Sequence, residues 1–264
     1  MSRSIRPVDL HSHSIFSDGR ANIFQIEEKC LKDNFSIVLT DHNEIRGSIK
    51  LFERNRIVTL PALEAGTKEG LEFLIYFKSV VDIESFYKKI IEPYKRERFM
   101  VQIGIPAEAL IKTAREYECF ISLAHPYGFR KKSLKYHLSN KNLIFFILNN
   151  IDAVETYNGN LSEYNNIRSK LLFDSVSALN STVGSDGHDL DSLGQVTADF
   201  ELSNEDFNTF GLFQALKTGD YSENTANKIS KINTALNISY FHTLYYFDKG
   251  NSVERRIKSD KNNM

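Results

Sequence analysis

The sequence predicts an α/β protein built around a mostly parallel sheet, and it favours a closed or distorted barrel over an open doubly wound sheet. Two observations predict this fold class. Short apolar runs alternate with longer stretches of helical period along the 264 residues, as in repeated βα units. Histidine and acidic motifs follow several of the apolar runs, and α/β barrels carry their functional loops at that end of the strands.

The alternation can be followed element by element. Each predicted strand is a short apolar run, and each predicted helix has apolar residues at helical spacing. In the first half the strands are residues 4–10, 35–39, 57–62 and 73–77, and the helices are residues 23–32, 83–96 and 106–117. In the second half the strands are residues 120–123, 151–154 and 182–184, and the helices are residues 134–148, 164–179 and 205–216. The number of these units favours a barrel.

Composition indicates an ordinary enzyme-sized domain. Hydrophobic residues make up 41% of the chain and charged residues 25%, close to the averages of globular proteins. No Pro/Gly/Ser-rich linker interrupts the chain, so we expect one domain over residues 1–220 and a C-terminal extension over residues 221–264. The net charge of -1 exerts no global attraction on nucleic acid or on an anionic membrane, so any polyanion binding would be local.

The expected location is cytoplasmic. The first residues lead into the first strand without a signal peptide, and no apolar run approaches the roughly 20 residues that a membrane span needs. Cys30 and Cys119 are far apart in sequence, which argues against a disulfide framework. No membrane partner is therefore expected.

The C-terminal extension differs from the rest of the chain. It has a polar stretch of helical pattern at residues 224–237 and an aromatic run at residues 240–247, which would form an edge strand or a docking element. An exposed aromatic edge would pair with another subunit, so a homo-oligomer is left open. Residues 250–264 are rich in Lys, Arg, Asn and Asp, and we expect disorder there.

Five of the seven histidines lie in four short motifs with acidic or Gly/Pro neighbours. The motifs are D-L-H-S-H-S-I-F-S-D-G at 9–19, T-D-H-N at 40–43, A-H-P at 124–126 and S-D-G-H-D at 185–189. Imidazole and carboxylate hold Zn, Mn or Fe without thiolate. His11 and His13, at positions i and i+2 of a strand, would point to one face and reach the same ion. A capping or turn role explains any one motif but explains the whole set poorly.

The ordered set of motifs from Asp9 to Gly194 resembles the PHP family, named for its polymerase-associated and histidinol phosphatase members. The first and last motifs look like that family's signatures with almost no departure. The resemblance implies a distorted (β/α)7 barrel, similar to a TIM barrel, with a metal centre at the carboxyl-terminal face of the strands. It also implies two or three divalent ions of Mn, Zn or Fe as cofactors.

The resemblance further implies a role for individual residues. The expected ligands are His11, His13, Asp18, His42, Glu64, Glu72, His125, Glu155, Asp186 and His188. In similar proteins the pair matched by His11 and His13 binds the first ion together with the residue matched by Asp186, and the counterpart of Glu64 bridges two ions. His125 matches a ligand of the second ion, and the third ion would take Asp18, His42 and His188. Asp9 and Asp41 would lie behind the ligands and accept hydrogen bonds that orient neighbouring imidazoles.

Two acidic positions leave alternatives open. Members of the family usually carry a histidine in the strand after the bridging glutamate, and here Glu72 takes that place. Glu72 would serve as an oxygen ligand, which favours Mn over Zn, or the second ion would lack a ligand. Glu155 lies at the end of its strand and is either a ligand-type residue or a solvent-facing carboxylate, and a buried Glu155 would need a partner.

The ligand types predict hydrolysis of phosphate esters. Divalent ions would lower the pKa of a bridging water, supply hydroxide and neutralise charge on the phosphoryl oxygens. The sequence has no G-x-S-x-G elbow, no P-loop and no Cys/His nucleophile pair. We therefore expect Asp186, His188 and Glu64 to carry the catalysis through the ions that they bind.

A phosphate group also needs cationic partners from the protein. We expect them to be Arg20, Arg46 and Arg130, with Arg130 the first choice because it follows the A-H-P motif and begins the run Arg130-Lys131-Lys132. A solvated basic turn is the alternative for this run. If the run lines the cleft, it favours substrates with more than one phosphate, such as a nucleotide or the 5′ end of an oligonucleotide.

The leading hypothesis is a metal-dependent phosphoesterase acting on nucleotides or on the 5′ ends of oligonucleotides. Three alternatives stay open: a small-molecule phosphate monoesterase of the histidinol-phosphatase type, a hydrolase of amides or lactones on a similar barrel, and a catalytically silent metal-binding module. A closed pocket would favour the small monoester, and an open groove lined by the basic run would favour the oligonucleotide.

Overall fold

Nine strands form the framework of the part of the chain that the structure describes. The structure is a computed structural model and describes residues 2–97, 100–176, 178–225 and 251–260. The strands are Arg3–Ser12 (β1), Ser36–Leu39 (β2), Ala62–Gly66 (β3), Glu72–Phe77 (β4), Cys119–Leu123 (β5), Ala153–Asn158 (β6), Asn180–Gly184 (β7), Thr197–Ser203 (β8) and Tyr221–Asn224 (β9).

Eight α-helices accompany these strands within the described residues. They are Ile23–Asp33 (α1), Arg46–Arg54 (α2), Val80–Phe86 (α3), Ala107–Ala114 (α4), Lys141–Asn150 (α5), Glu163–Asp174 (α6), Thr209–Thr218 (α7) and Asn251–Asp260 (α8). Short 3₁₀ turns precede α5 at Arg130–Lys132 and Leu134–His137.

The strands form two open sheets rather than one closed barrel. In the described residues the first sheet has the order β2-β1-β8-β9, and the second has the order β3-β4-β5-β6-β7. Pairing is parallel in β1–β2, β5–β6 and β6–β7, but it is antiparallel in β3–β4, β4–β5, β1–β8 and β8–β9. The expectation of a mostly parallel sheet is therefore wrong. The turn from β3 to β4 is too short for a crossover helix and makes a hairpin instead.

The two sheets approach each other through short backbone bridges next to the histidine motifs. One bridge joins His42 to Glu64, and the Asn43 N–H donates to the Glu64 carbonyl at 2.8 Å. The other joins Ser12 to Gly187, and the His13 N–H donates to the Gly187 carbonyl at 2.9 Å. The motif residues are thus gathered where the sheets meet.

The strand β4 shows why apolar runs in this chain form strands. Phe73, Ile75 and Phe77 pack into one buried hydrophobic cluster, while Leu74 and Tyr76 pack into a second. Because successive side chains of a strand point to opposite faces, a strand that is covered on both faces is apolar along its whole length. The prediction of a strand at residues 73–77 is confirmed.

The helix α1 follows closely from its sequence. Asn22 caps the first turn by accepting from the Gln25 N–H, and the Gln25 side chain accepts in return from the Asn22 N–H, which completes a capping box. Asn34 ends the helix in the left-handed conformation at φ 56°. The predicted range of 23–32 is confirmed to within one residue.

Other helix predictions were too long. Residues 83–96 were expected to be one helix, but α3 ends at Phe86 and the chain continues as a single wide turn over Tyr87–Ile91. Pro93 then limits the segment to a short 3₁₀ turn, because proline has no N–H to donate. Residues 134–148 were also expected to be one helix, and α5 instead begins at Lys141 with Asn140 as its cap.

The C-terminal region is more ordered than the sequence suggested. The strand β9 pairs with β8 just beyond the predicted boundary at residue 220. Disorder was expected over residues 250–264, but residues Asn251–Asp260 form α8, in which Val253 and Ile257 are buried against α1 and α2. The predicted helical stretch at 224–237 begins at Asn224, which ends β9, and its residues 226–237 lie outside the described residues, as does the predicted segment at 240–247. No helix in the described part of the chain is long and apolar enough to cross a membrane.

Candidate metal centre

His11 and His13 form the base of the site at the end of β1. Both side chains are fully buried, and their Nε2 atoms lie 3.2 Å apart. The spacing of two residues places them on one face, as the sequence indicated. The pKa of His13 is lowered to about 4 by burial and by the neighbouring His188 and His42. His13 is therefore neutral at pH 7, which is the form of imidazole that binds metals.

The loop after β7 brings Asp186 and His188 to this pair. The Asp186 Oδ1 atom lies 3.1 Å from His13 Nε2 and 3.5 Å from His11 Nε2. Gly184 makes this approach feasible, because a Cβ at that position would lie 2.3 Å from the Cβ of His11. Asp186 itself has a left-handed backbone with φ 50°. The close packing of two backbones, rather than any helix, thus positions this carboxylate.

Glu64 is the central carboxylate of the cluster. Its Oε2 atom lies 2.7 Å from His42 Nδ1, and its Oε1 atom lies 2.8 Å from His125 Nε2. The same Oε2 atom is 3.5 Å from His11 Nε2 and 3.6 Å from His13 Nε2. Burial by itself would raise the pKa of Glu64, but the surrounding histidines hold it well below its usual range. Glu64 therefore remains ionised, with histidines on several sides.

Asp18 gathers a second set of histidines. Its carboxylate oxygens lie 3.2 Å from His188 Nε2, 3.7 Å from His42 Nε2 and 3.7 Å from His13 Nδ1. Burial alone would raise the pKa of Asp18, but His188 and His42 lower it below its usual value. The pKa of His188 responds in the opposite direction, since Asp18 overcomes the effect of burial and raises it to about 9.

Four overlapping groups of side chains in the described residues could hold a metal ion. In each group one ligand atom per residue lies within 4.8 Å of the others: His13, Asp18, His42 and His188; His11, His125 and Asp186; His11, His13 and Glu64; and His42, Glu64 and Glu72. Two ligand atoms on one tetrahedral ion lie roughly 3.4 Å apart, given bonds of about 2.1 Å. Several measured separations in the cluster are close to this value.

Unsatisfied polar atoms also fit a metal. His13 Nδ1, Asp18 Oδ1 and Glu72 Oε1 are buried and have no hydrogen-bond partner. Leaving a buried polar atom without a partner is costly, so such atoms in a folded protein call for an explanation. A bound cation would supply it.

Asp9 and Asp41 lie outside the cluster and hold its loops in place. Asp9 accepts from the N–H and hydroxyl of Ser185, the residue before Asp186. Asp41 accepts from the N–H of Ser14 at 2.8 Å and from the hydroxyl of Ser17 at 2.5 Å. We expected both carboxylates to orient imidazoles. Within the described residues, their hydrogen bonds come from backbone N–H groups and serine hydroxyls instead.

Glu155 is the carboxylate that orients imidazole. Its Oε1 atom accepts from His11 Nδ1 at 2.8 Å, and its Oε2 atom accepts from the His125 N–H at 2.7 Å and from Asn158 Nδ2 at 3.0 Å. Glu155 is buried, so the solvent-facing alternative is excluded. It belongs to none of the metal-binding groups found in the described residues, and it lies behind His11.

Glu72 adjoins the centre and pairs with a lysine. Its carboxylate lies 3.2 Å from His125 Nε2 and 3.8 Å from His42 Nδ1. The Lys132 ammonium lies 2.7 Å from Glu72 Oε2. The sequence grouped Lys132 with a basic turn, but the chain turns this side chain inward. No local signal in the sequence distinguishes Lys132 from Lys131, which is exposed.

The three predicted phosphate contacts have different positions. Arg20 is exposed beside the Asp18 loop, and its N–H donates to the His188 carbonyl at 2.8 Å. Arg46 forms ion pairs with Glu44 at 2.8 Å and with Glu254 of α8 at 3.0 Å, so it joins α8 to α2. Arg130 lies in a 3₁₀ turn, and its side chain lies outside the described part of the structure.

Sequence reasoning missed two asparagines near the centre. Asn158 donates to Glu155 at 3.0 Å and to Asp186 Oδ2 at 3.2 Å, and so links the orienting carboxylate to a candidate ligand. Asn160 donates to the Asp186 carbonyl and contacts His188. The V-E-T-Y-N-G motif contained the first of them, but nothing in its spacing pointed to Asp186.

Comparison with known proteins finds similar solved structures. No protein-family model and no curated protein matches the chain. A two-domain protein from Bacteroides vulgatus, which contains a predicted PHP-like metal-dependent phosphoesterase, has a TM-score of 0.57 at 16% identity, covering 84% of this chain and 65% of that one. The chain has a PHP-like fold. This confirms the resemblance that the motifs indicated.

Other structural neighbours are endonucleases. The lesion-specific endonuclease EndoQ from Pyrococcus furiosus has a TM-score of 0.65 at 16% identity, over 89% of this chain and 66% of that one. A complex of Endonuclease Q with a 27-mer duplex substrate, which carries an abasic lesion at the active site, has a TM-score of 0.61 at 18% identity. The match covers 81% of this chain and 57% of that one. The chain thus spans less than two thirds of these neighbours, and at these identities the likeness shows the fold alone.

Proposed function

We propose that this protein is a metal-dependent phosphoesterase that hydrolyses phosphate esters. The observation that carries the proposal is the buried cluster around Glu64, in which four histidines lie within 3.6 Å of one carboxylate. Such a cluster, with unsatisfied donor and acceptor atoms, fits divalent cations better than it fits a structural core. Solved structures with the same fold include a phosphoesterase and an endonuclease, which supports this class of reaction.

The candidate ligands divide into two sets around Glu64. His11, His13 and Glu64 would hold one ion, and Asp186 lies 3.5 Å from His11 Nε2 and 3.1 Å from His13 Nε2 and would join them. Asp18, His42 and His188 would hold another ion with His13. His125 lies 2.8 Å from Glu64 Oε1 and also has metal-ligand spacing with His11 and Asp186. Glu155 would orient His11, because a carboxylate can only accept a hydrogen bond and so fixes the proton on His11 Nδ1. The Nε2 atom of His11 then carries the lone pair that binds metal.

Substrate would approach from the side where the cluster is open. Most of the cluster is buried, but the side chains of Asp186, His188 and Lys132 remain 15%, 12% and 33% exposed. Bound divalent ions would lower the pKa of water and neutralise the phosphoryl charge. Asp18 raises the pKa of His188 to about 9 against the effect of burial. An ion held by His188 would displace that proton, because neutral imidazole is the form that binds metals.

We favour nucleotides or the 5′ ends of oligonucleotides as substrates. The endonuclease Q neighbours act on nucleic acid, and one is bound to a duplex. The net charge of -1 means that a polyanion would be attracted by the ions and by Lys132 rather than by the whole surface. A small phosphate monoester is the alternative, and the products distinguish the two.

The test measures hydrolysis by the full chain loaded with Mn²⁺, Zn²⁺ or Fe²⁺. A 5′-phosphorylated oligonucleotide and p-nitrophenyl phosphate are the substrates, and released mononucleotides are separated from inorganic phosphate. We expect mononucleotides, with an at least roughly 100-fold loss of kcat/KM in Asp186→Ala, since removal of a direct ligand exceeds the effect typical of outer partners. Asp174→Ala, an exposed aspartate at the end of α6, is the matched control and should retain activity.

The outcomes separate the hypotheses. Release of inorganic phosphate alone would indicate that the substrate is a small phosphate monoester rather than nucleic acid. Metal uptake without hydrolysis of either substrate would contradict the phosphoesterase and support the silent metal-binding module. Equal activity in Asp186→Ala and Asp174→Ala would place the reaction elsewhere in the molecule.

A further inference from the structure

Lys132 places a permanent positive charge at the edge of the candidate metal centre. Its ammonium lies 2.7 Å from Glu72 Oε2, and the Glu72 side chain is only 1% exposed. Glu72 is in turn 3.2 Å from His125 Nε2. A lysine therefore occupies a position beside the ligand-type residues, although lysine does not bind divalent ions.

The backbone conformation of two neighbouring turns positions Lys132 beside Glu72. Gly70, in the turn between β3 and β4, has φ +95°, and a Cβ there would lie 2.8 Å from the Lys131 Cβ. A Cβ at Gly128 would lie 2.9 Å from the His125 carbonyl oxygen. These two glycines let the loop that follows His125 fold tightly against the start of β4. The Leu134 N–H closes the loop by donating to the Pro126 carbonyl at 2.8 Å.

The position of Lys132 bears on how many ions the centre can hold. His42, Glu64 and Glu72 form one of the groups with metal-ligand spacing. An ion on Glu72 would share that carboxylate with the ammonium, and the two cations would repel each other across a buried site of low dielectric. Five carboxylates surround the centre, namely Asp18, Glu64, Glu72, Glu155 and Asp186. Two divalent ions and one ammonium match their formal charge.

We propose that the Lys132 ammonium takes the place of a metal ion at Glu72, so that the chain binds two divalent ions rather than three and presents the ammonium to a phosphoryl oxygen of the substrate. This inference rests on the proposed phosphoesterase function. The Lys132 side chain is 33% exposed, which leaves the ammonium accessible beside Glu72. Lysine binds phosphate as a compact point charge.

The number of bound ions tests the first part of the proposal. Full-length protein is equilibrated with Mn²⁺ by dialysis, and its metal content is measured by inductively coupled plasma mass spectrometry. We expect two ions in the unmodified chain and three in Lys132→Met, which keeps the side-chain stem but removes the charge. Lys78→Met is the matched control, because Lys78 forms an exposed ion pair with Glu118 at 2.8 Å at the other end of β4.

A double variant shows that the added ion uses Glu72. In Lys132→Met with Glu72→Gln the carboxylate is lost together with the ammonium, and we expect the content to return to two ions. Circular dichroism and a melting curve confirm that each variant is folded. The pair of neutral residues in the double variant avoids an uncompensated buried charge, so it controls for loss of the ion pair. The ion count of the unmodified chain tests the proposal even if Lys132→Met alone fails to fold, because three ions there would overturn it.

Kinetics test the contact with substrate. In the double variant, which lacks both the ammonium and the added ion, we expect KM for the phosphorylated substrate to rise about 10-fold with kcat little changed, and we expect Lys132→Arg, which keeps the charge, to retain a KM close to that of the unmodified chain. Three ions in the unmodified chain, or the same ion content in Lys132→Met, would overturn the inference. Absence of bound ions from the unmodified chain would instead overturn the proposed function, so the two failures are distinguishable.

Discussion

At the residue scale, the cluster depends on which nitrogen of each imidazole faces the centre. His13 presents Nε2 to His11 and Asp186 and presents Nδ1 to Asp18. It therefore touches both candidate ion positions. His11 presents only Nε2 to the centre, because its Nδ1 is held by Glu155. The two histidines of the H-x-H motif thus differ in which ring nitrogens face the centre, and the motif itself does not show this difference.

Glu155→Gln tests the orientation of His11. The substitution keeps the shape of the side chain but removes the negative charge that holds the His11 Nδ1 proton. We expect the affinity for Mn²⁺ to fall about 10-fold to 100-fold, the range found for outer partners of metal ligands. Isothermal titration calorimetry measures the affinity, with Asp174→Asn as control. An unchanged affinity would show that packing alone orients His11.

At the element scale, the centre is assembled by strand ends and loops rather than by helices. The strand β1 supplies His11, and His13 follows directly after its last residue, while β3 supplies Glu64 and β4 supplies Glu72. The remaining candidate ligands lie in loops that follow β1, β2, β5 and β7. The antiparallel hairpin of β3 and β4 places Glu64 and Glu72 at different heights, with Gly66 paired to Glu72. Glu64 can therefore be central while Glu72 lies at the edge with Lys132.

The helix α8 supports the loop that carries Asp18. Its Arg256 donates to the Gly19 carbonyl at 2.6 Å and to the Ser17 carbonyl at 3.2 Å. Its Glu254 pairs with Arg46 of α2. Residues 251–260 thus contact the body that holds the centre, although the composition of residues 250–264 suggested disorder.

Ile257→Ala tests whether α8 is an integral part of the fold. Ile257 is 4% exposed and packs with Val253 in the cluster formed by α1, α2 and β2. Removing its buried methylene and methyl groups should cost about 2–5 kcal/mol in the free energy of unfolding. Urea denaturation measures the loss, with the exposed Lys258→Ala as control. A loss below about 0.5 kcal/mol, the size typical of surface substitutions, would show that α8 does not pack on the body in solution.

At the scale of the whole molecule, the cluster concentrates negative charge inside a protein that is nearly neutral overall. The formal net charge is -1, yet the centre buries the carboxylates of Asp18, Glu64 and Glu72 together. Burying like charges is costly unless cations compensate them. Divalent ions would therefore stabilise the folded state as well as serve the reaction.

Metal removal should destabilise the entire fold. A ligand that binds only the folded state stabilises it by about 4 kcal/mol at a concentration 1,000 times its Kd. For a chain of this size each kcal/mol shifts the melting temperature by roughly 2–4 °C. We expect dialysis against EDTA to lower the Tm and Mn²⁺ to restore it, as measured by differential scanning calorimetry. Asp186→Ala should respond less, and an equal response in that variant would locate the stabilising ion elsewhere.

Both thiols should react only after global unfolding. Cys30 and Cys119 are free and buried. Burial raises the pKa of Cys119 to about 12, and it also raises the pKa of Cys30 well above its usual range. Because the thiolate is the reactive form, we expect no reaction with a disulfide reagent at pH 8 in the native state and two equivalents in denaturant. Rapid labelling of either thiol in the native protein would contradict this packing.

The sequence by itself determined which residues gather at the candidate centre. Ligand-type residues, the spacing of two in a strand and the position of motifs after apolar runs are local properties, and each can be read without long-range contacts. The same local signals were enough for α1, with its capping box, and for β4, with its apolar run. The order of the motifs indicated the PHP-like fold, but in place of the predicted distorted (β/α)7 barrel the described strands form two open sheets.

Only the tertiary structure decided how these residues are arranged. The antiparallel pairing of β3 with β4 depends on a short turn, and the approach of Asp186 to His11 depends on Gly184. The pairing of Lys132 with Glu72 joins residues that are 60 positions apart through a loop held by two glycines. Such contacts depend on how closely one backbone can approach another. A local pattern of residues does not predict how closely two distant backbone segments approach. The roles of Glu155, Lys132 and α8 were therefore found only in the folded chain.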